Sequence, residues 1–206
     1  MPVRIKFILI LIILGWKERN MGYIDKTLVF DSDKIYYTDE GATYEVMMDW
    51  EDSIMKASAD YVCENGGDIL EIGFGMGIAA DYIQANSITS HTIIENHPQV
   101  IEKAKAWANG KSNITIVEGD WYDVKDSLST YDGIFYDTYG EDDWSKFAQE
   151  LSSLTKSGTK VTWWNNNPSA TSIHNINGIE YEEIEIDPTS NSYFNSNTYY
   201  LPKKEF

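Results

Sequence analysis

The chain has 206 residues, 42% of them hydrophobic, which is enough for one α/β domain with a full core. Its 16 basic and 33 acidic residues give a net charge of −17, which argues against nucleic-acid binding, because Lys and Arg must replace phosphate counterions. Acidity suits a small cationic partner, although it can also serve solubility alone. Cys63 is the only cysteine and the three histidines lack ligand spacing, so we expect no metal site and a reducing, cytoplasmic location.

The N-terminus contains the apolar run "FILILIIL" at residues 7–14, which is too short to cross a bilayer as a helix. No small-residue cleavage site follows it. It can be a membrane anchor, a buried or pairing segment, or an upstream extension from a misassigned start, with Met21 as the true first residue. We favour the extension and expect no membrane association. Residues 1–43 are therefore predicted to be an N-terminal extension and cover segment, with strand-like fragments in "TLVF" and "KIYYT".

A helix is predicted over residues 44–65, because Trp50, Ile54, Ala57 and Tyr61 recur at helical spacing. Strands and helices alternate after it. The predicted strands are residues 68–73, 91–95, 113–119, 131–137, 158–165, 178–186 and 196–202, and the predicted helices are residues 76–86, 98–109 and 141–154.

This alternation predicts an α/β fold with a mainly parallel sheet and right-handed crossovers. The last two strands follow each other without a helix and can pair as an antiparallel edge. We therefore predict the Rossmann-like fold of class I methyltransferases over residues 44–206, with a mainly parallel seven-stranded sheet, an antiparallel edge strand and helices on both faces.

The loop "EIGFGMGIAA" at residues 71–80 follows the first strand of this sheet and opens a helix. Its glycines at 73, 75 and 77 allow the backbone to approach a ligand without Cβ clashes. Gly75, Gly77 and Ala80 also have the spacing of a nicotinamide-dinucleotide loop, with Glu95 twenty residues after the first of them. The loop alone leaves both cofactors open.

Acidic residues around the loop favour S-adenosylmethionine over NAD. Glu71 lies inside the first strand, where a dinucleotide fold usually has an apolar residue. Glu95 at the end of the second strand can accept ribose hydroxyls, and Asp120 after the third strand can meet the adenine amine, with Trp121 packed on the ring. The simpler interpretations are a surface salt bridge at a strand end for Glu71 and core packing for Trp121.

Asn96 and His97 precede Pro98, a residue suited to the first turn of a helix. They can form the helix N-cap, and their backbone can also border the ribose. Both interpretations are compatible with one another.

Five segments resemble guanidinoacetate N-methyltransferase and the related protein-arginine δ-N-methyltransferase domain in order and spacing. They are "VMMDWEDSIM" (46–55), "LEIGFGMGIAADYIQ" (70–84), "TIIENHPQV" (92–100), "EGDW" (118–121) and "DGIFYDTY" (132–139). The resemblance covers roughly residues 44–165. The first and last segments are specific to this group, whereas the glycine loop is shared by all such methyltransferases.

The resemblance implies that Glu51 and Asp137 hold the guanidino group of a methyl acceptor. It assigns contacts with S-adenosylmethionine to Met47, Met55, Gly73, Phe74, Gly75, Met76, Gly77, Ile78, Glu95, Asn96, His97, Asp120, Trp121 and Asp137. The expected partner is thus a small cationic guanidino compound, bound by a monomer or a homodimer.

The positions of these two carboxylates make chemical sense. Met47, Glu51 and Met55 are spaced i, i+4, i+8 and would share one face of the predicted helix, although Glu51 could also be a surface acid. Asp137 follows the fourth strand, at the edge where open α/β sheets bind ligands. Carboxylates match the planar guanidinium, and Asp137, nearer the methyl donor by family analogy, is the candidate base.

The remaining acceptor contacts are predicted less directly. Tyr136, Thr138 and Tyr139 would exclude water from the site. The loop "WWNNNPSATS" at 163–172 departs from the family pattern, and we expect Asn166 and Asn167 to contact the acceptor there. Guanidinoacetate, another small guanidino acid, free arginine and a protein arginine side chain stay open as acceptors. So do methyl transfer to a different cationic nitrogen and a non-catalytic role in S-adenosylmethionine binding.

Overall fold

The computed structural model describes residues 22–140, 144–170 and 176–206, and it begins with a small antiparallel sheet. Its strands are β1 (Val29–Phe30), β2 (Lys34–Asp39) and β3 (Ala42–Met48), in the order β1-β2-β3. β1 covers only the second half of the predicted fragment at 27–30, whereas β2 covers the whole of the predicted fragment at 34–38. The run at residues 7–14 and Met21 lie outside the described residues.

A seven-stranded sheet forms the centre of the molecule. Its strands are β4 (Asp68–Ile72), β5 (Ser90–Glu95), β6 (Ile114–Glu118), β7 (Tyr131–Tyr136), β8 (Thr155–Trp163), β9 (Glu180–Glu185) and β10 (Thr198–Glu205). The order is β6-β5-β4-β7-β8-β10-β9, and β10 runs antiparallel to both of its neighbours. The predicted mainly parallel sheet is confirmed, with the antiparallel strand one place in from the edge.

Helices cover both faces of this sheet, as predicted. They are α1 (Asp52–Val62), α2 (Ile78–Ala85), α3 (Pro98–Ala108), α4 (Trp121–Val124) and α5 (Trp144–Leu154). Ile54 of α1 and Ile83 of α2 belong to the same buried cluster as Phe135 of β7, whereas Phe147 of α5 packs in a second cluster with Tyr136. In the described ranges, no helix is both long and apolar enough to span a membrane.

The helix predicted over residues 44–65 is wrong in its first third. Residues up to Met48 belong to β3, where Met47 lies opposite Ile35 and Met48 opposite Lys34 of β2. A 3₁₀ turn over Asp49–Glu51 follows, and α1 begins only at Asp52. Pairing with β2 satisfies the backbone groups that a helix would otherwise satisfy internally. β3 continues across the predicted boundary between the cover segment, residues 1–43, and the methyltransferase domain, residues 44–206. The division of the chain into these two parts stays a prediction.

Candidate active site

A cavity of about 240 Å³ opens at the carboxyl ends of the central strands, close to the lower limit of ligand cavities. The strand order reverses at β4, which pairs with both β5 and β7, and ligands of open α/β sheets bind beside such a point. β3, the 3₁₀ turn and loops from both ends of the chain form the remaining wall.

Most of the predicted site residues line this one cavity. They are Met47, Glu51, Met55, Glu71, Gly73, Phe74, Gly75, Glu95, Asn96, Trp121, Asp137 and Asn166. The predicted residues outside the lining are Met76, Gly77, Ile78, His97, Asp120, Tyr136 and Asn167. Met47, Glu51 and Met55 therefore converge as expected, but from a strand, a turn and a helix rather than from one helical face.

The glycine loop lies close against its neighbours. Gly73 donates its N–H to the Ile94 carbonyl at 2.8 Å, and its φ of +94° is in the left-handed region. A Cβ at Gly73 would overlap the backbone carbonyl oxygen of Asp137. At Gly75, with φ of +53°, a Cβ would instead meet the flexible end of the Met47 side chain, whose sulfur accepts the N–H of Met76 at 3.1 Å.

Gly73→Ala is expected to destabilise the fold more than Gly75→Ala, because a backbone carbonyl cannot move aside as a methionine side chain can. We expect a loss of about 2–5 kcal/mol in the free energy of unfolding for Gly73→Ala and about 1 kcal/mol for Gly75→Ala. Chemical denaturation measures both values. Equal losses would show that the approach of Gly73 to Asp137 does not constrain the loop.

Glu95 is held in a fixed orientation by the backbone. Its Oε1 accepts the N–H groups of Asn96 and His97, both at 2.8 Å, and its Oε2 accepts the N–H of Phe74 at 3.0 Å. His97 is the N-cap of α3, as one of its two interpretations predicted, and accepts the N–H of Gln99. Glu95 thus links the glycine loop to the end of β5.

Glu71 is buried beside a histidine that sequence reasoning did not connect with it. Nε2 of His91 lies 2.8 Å from Oε2 of Glu71, and Nδ1 of His91 lies 3.3 Å from the Gln84 amide nitrogen. Burial raises the pKa of Glu71, and the neighbouring His91 opposes that rise. The surface salt bridge considered for Glu71 is therefore wrong, because Glu71 and His91 form a pair inside the protein.

Asp120 and Trp121 divide the roles predicted for them. Asp120 is the N-cap of the short helix α4 and accepts the Tyr122 N–H at 2.9 Å, away from the cavity lining. Trp121 is buried, packs edge-on against Tyr136 and Phe147, and also lines the cavity. The Trp121 ring can therefore pack in the core and contact a ligand at the same time.

The two predicted acceptor carboxylates face the same cavity. Glu51 is buried, and its Oε1 accepts the Met48 N–H at 2.8 Å and the Tyr193 hydroxyl at 2.6 Å. Burial, with a smaller contribution from Asp137, raises the pKa of Glu51 to about 8. Burial, then the charges of Glu71 and Glu95, raises the pKa of Asp137 to about 7. Such rises are typical of buried carboxyls that no cation compensates.

Two predicted acceptor contacts are placed differently. Tyr136 stacks on Phe147, with ring centroids 4.2 Å apart, on the face of the sheet away from the cavity, because successive strand side chains alternate in direction. Its neighbours Phe135, Thr138 and Tyr139 line the cavity instead. Asn166 lines the cavity, whereas the Asn167 N–H bonds to Asn165 Oδ1 at 3.0 Å.

Residues from distant parts of the chain complete the cavity, and no local pattern predicted them except for Trp164, which belongs to the predicted acceptor loop at 163–172. Tyr23 lies against Tyr139 and His97, with ring centroids 4.7 and 4.8 Å apart. Glu45, Trp164 and Tyr193 also line the cavity. Aromatic residues of this kind are common in cores, so only the folded chain distinguishes these from the rest.

The raised acidic pKa values predict the pH dependence of stability. Glu51 and Asp137 have pKa values near 4 in the unfolded chain and about 8 and about 7 in the folded protein. At a pH between these values, the folded protein binds more protons than the unfolded chain, so the free energy of unfolding falls as pH rises. We expect the free energy of unfolding of the ligand-free protein to fall by on the order of a few kcal/mol from pH 5 to pH 8. Denaturation at several pH values measures it. The double variant Glu51→Gln/Asp137→Asn should flatten the profile, and an unchanged slope would contradict this origin.

Comparisons of sequence identify relatives. The profile of guanidinoacetate N-methyltransferase matches residues 33–186. Protein arginine N-methyltransferase 2 of Aspergillus oryzae is 35% identical over 156 residues, covering 71% of this chain and 37% of that protein. The Saccharomyces cerevisiae protein of the same name is 36% identical over 149 residues, covering 62% and 36%. The chain thus spans about a third of the length of these curated relatives.

Solved structures share the fold. Spermidine synthase from Thermotoga maritima superposes with a TM-score of 0.60 at 11% identity, covering 88% of this chain and 73% of that one. Precorrin-6y C5,15-methyltransferase from Geobacter metallireducens superposes with a TM-score of 0.56 at 12% identity, covering 82% of this chain and 92% of that one. The profile match decides the cofactor question left open by the glycine loop. The chain belongs to the guanidinoacetate N-methyltransferase family, whose cofactor is S-adenosylmethionine.

Proposed function

We propose that this protein is an N-methyltransferase that moves the methyl group of S-adenosylmethionine to a guanidino nitrogen. The observation that carries the proposal is the convergence of Glu51 and Asp137 on the cavity beside the glycine loop. Family membership and the name of the curated relatives support the same activity.

The charge of the cavity supports a cationic acceptor. Its lining contains five carboxylates, those of Glu45, Glu51, Glu71, Glu95 and Asp137, and among the described lining residues there is no Lys, Arg or His. Burial in these surroundings raises the pKa values of Glu51 and Asp137. A guanidinium between them would restore their ionised forms, since an opposite charge within hydrogen-bonding distance lowers a carboxyl pKa.

The residues present fit the cofactor. S-adenosylmethionine supplies a methyl group on a positively charged sulfur, and an acidic cavity favours such a charge. Oε1 of Glu95 is occupied by two backbone donors, so Oε2, with one, is the oxygen we expect to accept a ribose hydroxyl. Met47, Met55 and Trp121 offer apolar surface around it. In the described residues, no group of His, Cys, Asp and Glu side chains is placed to hold a metal ion.

Different roles are proposed for the two acceptor carboxylates. Glu51 is fixed by two hydrogen bonds and would anchor the guanidinium. The Asp137 carboxylate accepts no hydrogen bond from its described neighbours, and its pKa of about 7 suits proton exchange near neutral pH. A protonated guanidinium has no good lone pair, so its nitrogen must lose a proton as it bonds to carbon. We propose that Asp137 takes that proton.

Two classes of methyl acceptor fit the proposed activity, a protein arginine side chain and a small guanidino compound. The name of the relatives, protein arginine N-methyltransferase 2, favours a protein arginine side chain. The profile favours guanidinoacetate, whose carboxylate would need backbone N–H groups or Asn166, because the described lining has no cationic side chain.

A methyl-transfer assay tests the proposal. The purified protein is incubated with labelled S-adenosylmethionine and, separately, with guanidinoacetate, free arginine, an arginine peptide and the matching lysine peptide. Transfer to a guanidino compound but not to the lysine peptide is expected. Transfer only to lysine would instead support another cationic nitrogen. Calorimetric binding of S-adenosylhomocysteine without any transfer would support a non-catalytic binding protein.

A further inference from the structure

The loop between β9 and β10 reaches back to the acceptor carboxylates. Tyr193 donates its hydroxyl to Glu51 Oε1 at 2.6 Å, across 142 residues of sequence. Ser192 donates its hydroxyl to Oε2 of Glu45 at 2.6 Å. The family profile matches as far as residue 186, so both contacts come from a segment outside the matched region.

This loop holds the tyrosine in place. Oδ1 of Asn191 accepts the N–H groups of Tyr193 at 3.0 Å and of Phe194 at 2.7 Å. The Tyr193 ring stacks on Trp50 with centroids 5.8 Å apart, and it meets Trp164 edge-on at 6.2 Å. The Asn191 hydrogen bonds and the two indole rings therefore hold the Tyr193 side chain in the orientation that points its hydroxyl at Glu51.

The two carboxylate oxygens of Glu51 differ in their hydrogen bonds. Oε1 accepts both the Tyr193 hydroxyl and the Met48 N–H, whereas Oε2 accepts no hydrogen bond from the described residues. Because Glu51 lines the cavity, Oε2 is the oxygen left for a ligand. We propose that Tyr193 is a positioning residue of the acceptor site, which fixes the Glu51 carboxylate so that Oε2 meets the guanidinium. This inference rests on the proposed function.

The surrounding charges make the tyrosine contact important. Glu51 interacts electrostatically with Asp137 at the end of β7 and with Tyr199 of β10, and Glu45 of β3 acts on Tyr193. Burial and Asp137 raise the pKa of Glu51, while the Tyr193 and Met48 donors lower it. Burial and Glu51 keep the pKa of Tyr193 far above its usual value, so its hydroxyl stays a donor at every working pH.

Tyr193→Phe removes the hydroxyl and keeps the ring, which preserves the packing on Trp50 and Trp164. At pH 7, below the Glu51 pKa of about 8, we expect the acceptor KM to rise about ten-fold, because a further rise in that pKa reduces the ionised fraction. Turnover at saturation and the affinity for S-adenosylhomocysteine should change by less than about three-fold. Above about pH 9.5, where Glu51 is ionised in both proteins, the part of the KM difference that comes from ionisation should vanish, and the part that remains measures the lost orientation of the carboxylate.

A carboxyl-carbon NMR titration of Glu51 supplies a readout that needs no turnover. The resonance is assigned with Glu51→Gln, and Tyr193→Phe should raise its pKa by about one unit. Tyr181→Phe, the same change on strand β9, is the matched control and should alter neither KM nor the titration. An unchanged Glu51 titration together with an unchanged acceptor KM would overturn the proposal. If the wild-type protein methylates no guanidino acceptor, the proposed function fails, and the titration alone decides whether Tyr193 holds Glu51.

Discussion

Asp137→Asn is expected to lower methyl transfer by about 10²–10⁴-fold, because the acceptor nitrogen then has no carboxylate to take its proton. Asparagine has the same shape but a negligible basicity, so the cavity keeps its form. The affinity for S-adenosylhomocysteine should stay within a few-fold of the wild-type value, since the backbone donors around Glu95 and the glycine loop are unchanged. Single-turnover kinetics and calorimetry measure the two quantities.

Asp126→Asn is the matched control for this charge change. Asp126 is 93% exposed and its ion pair is with Lys125 at the surface, so the variant should retain wild-type turnover. Full activity of Asp137→Asn would show that Asp137 is not the base. A large loss of cofactor affinity in Asp137→Asn would show that this side chain mainly supports the cofactor instead.

Glu51→Gln is expected to raise the acceptor KM by about 10²-fold, a loss typical of a charge-assisted hydrogen bond at an enclosed site. The glutamine carbonyl can still accept from Tyr193 and Met48, so its amide NH₂ would then face the guanidinium, donor against donor. Turnover at saturating acceptor should fall less than KM rises, because Asp137 is retained. Initial rates over a range of acceptor concentrations separate the two effects.

Glu102→Gln on α3 is the corresponding control, since Glu102 is 77% exposed and its partner Lys105 also pairs with Glu118. It should leave KM unchanged. A Glu51→Gln variant with the KM of the wild-type protein, and only turnover reduced, would mean that Glu51 acts in the chemical step rather than in acceptor binding.

Local patterns predicted the parts of the site that follow from strand ends. Glu71, Gly73, Glu95 and Asp137 lie in or directly after strands whose apolar character is plain in the sequence. Parallel strands present their carboxyl ends at one edge, so the topology predicted from alternating periods already brings these residues together. The family resemblance added Glu51, which spacing alone could not distinguish from a surface acid.

The same local patterns failed where pairing partners decide the structure. Met47, Glu51 and Met55 have a spacing that suits a helix, but β2 supplies hydrogen-bond partners as far as Met48, and the helix starts later. Tyr136 was expected in the site beside Asp137, yet strand alternation turns its ring into the core against Phe147. A spacing of residues describes a face only once the element that carries them is known.

The sequence by itself predicted the alternating strands and helices, the glycine loop and the strand-end carboxylates, because each of these features is carried by a short run of residues. Comparison with the family then decided the cofactor. Only the tertiary structure decided how the cavity closes. The approach of Tyr193 to Glu51 and of Tyr23 to Tyr139 joins the ends of the chain to its centre. Such contacts depend on where the sheet places loops that are far apart in the sequence, and a pattern of neighbouring residues does not encode that placement.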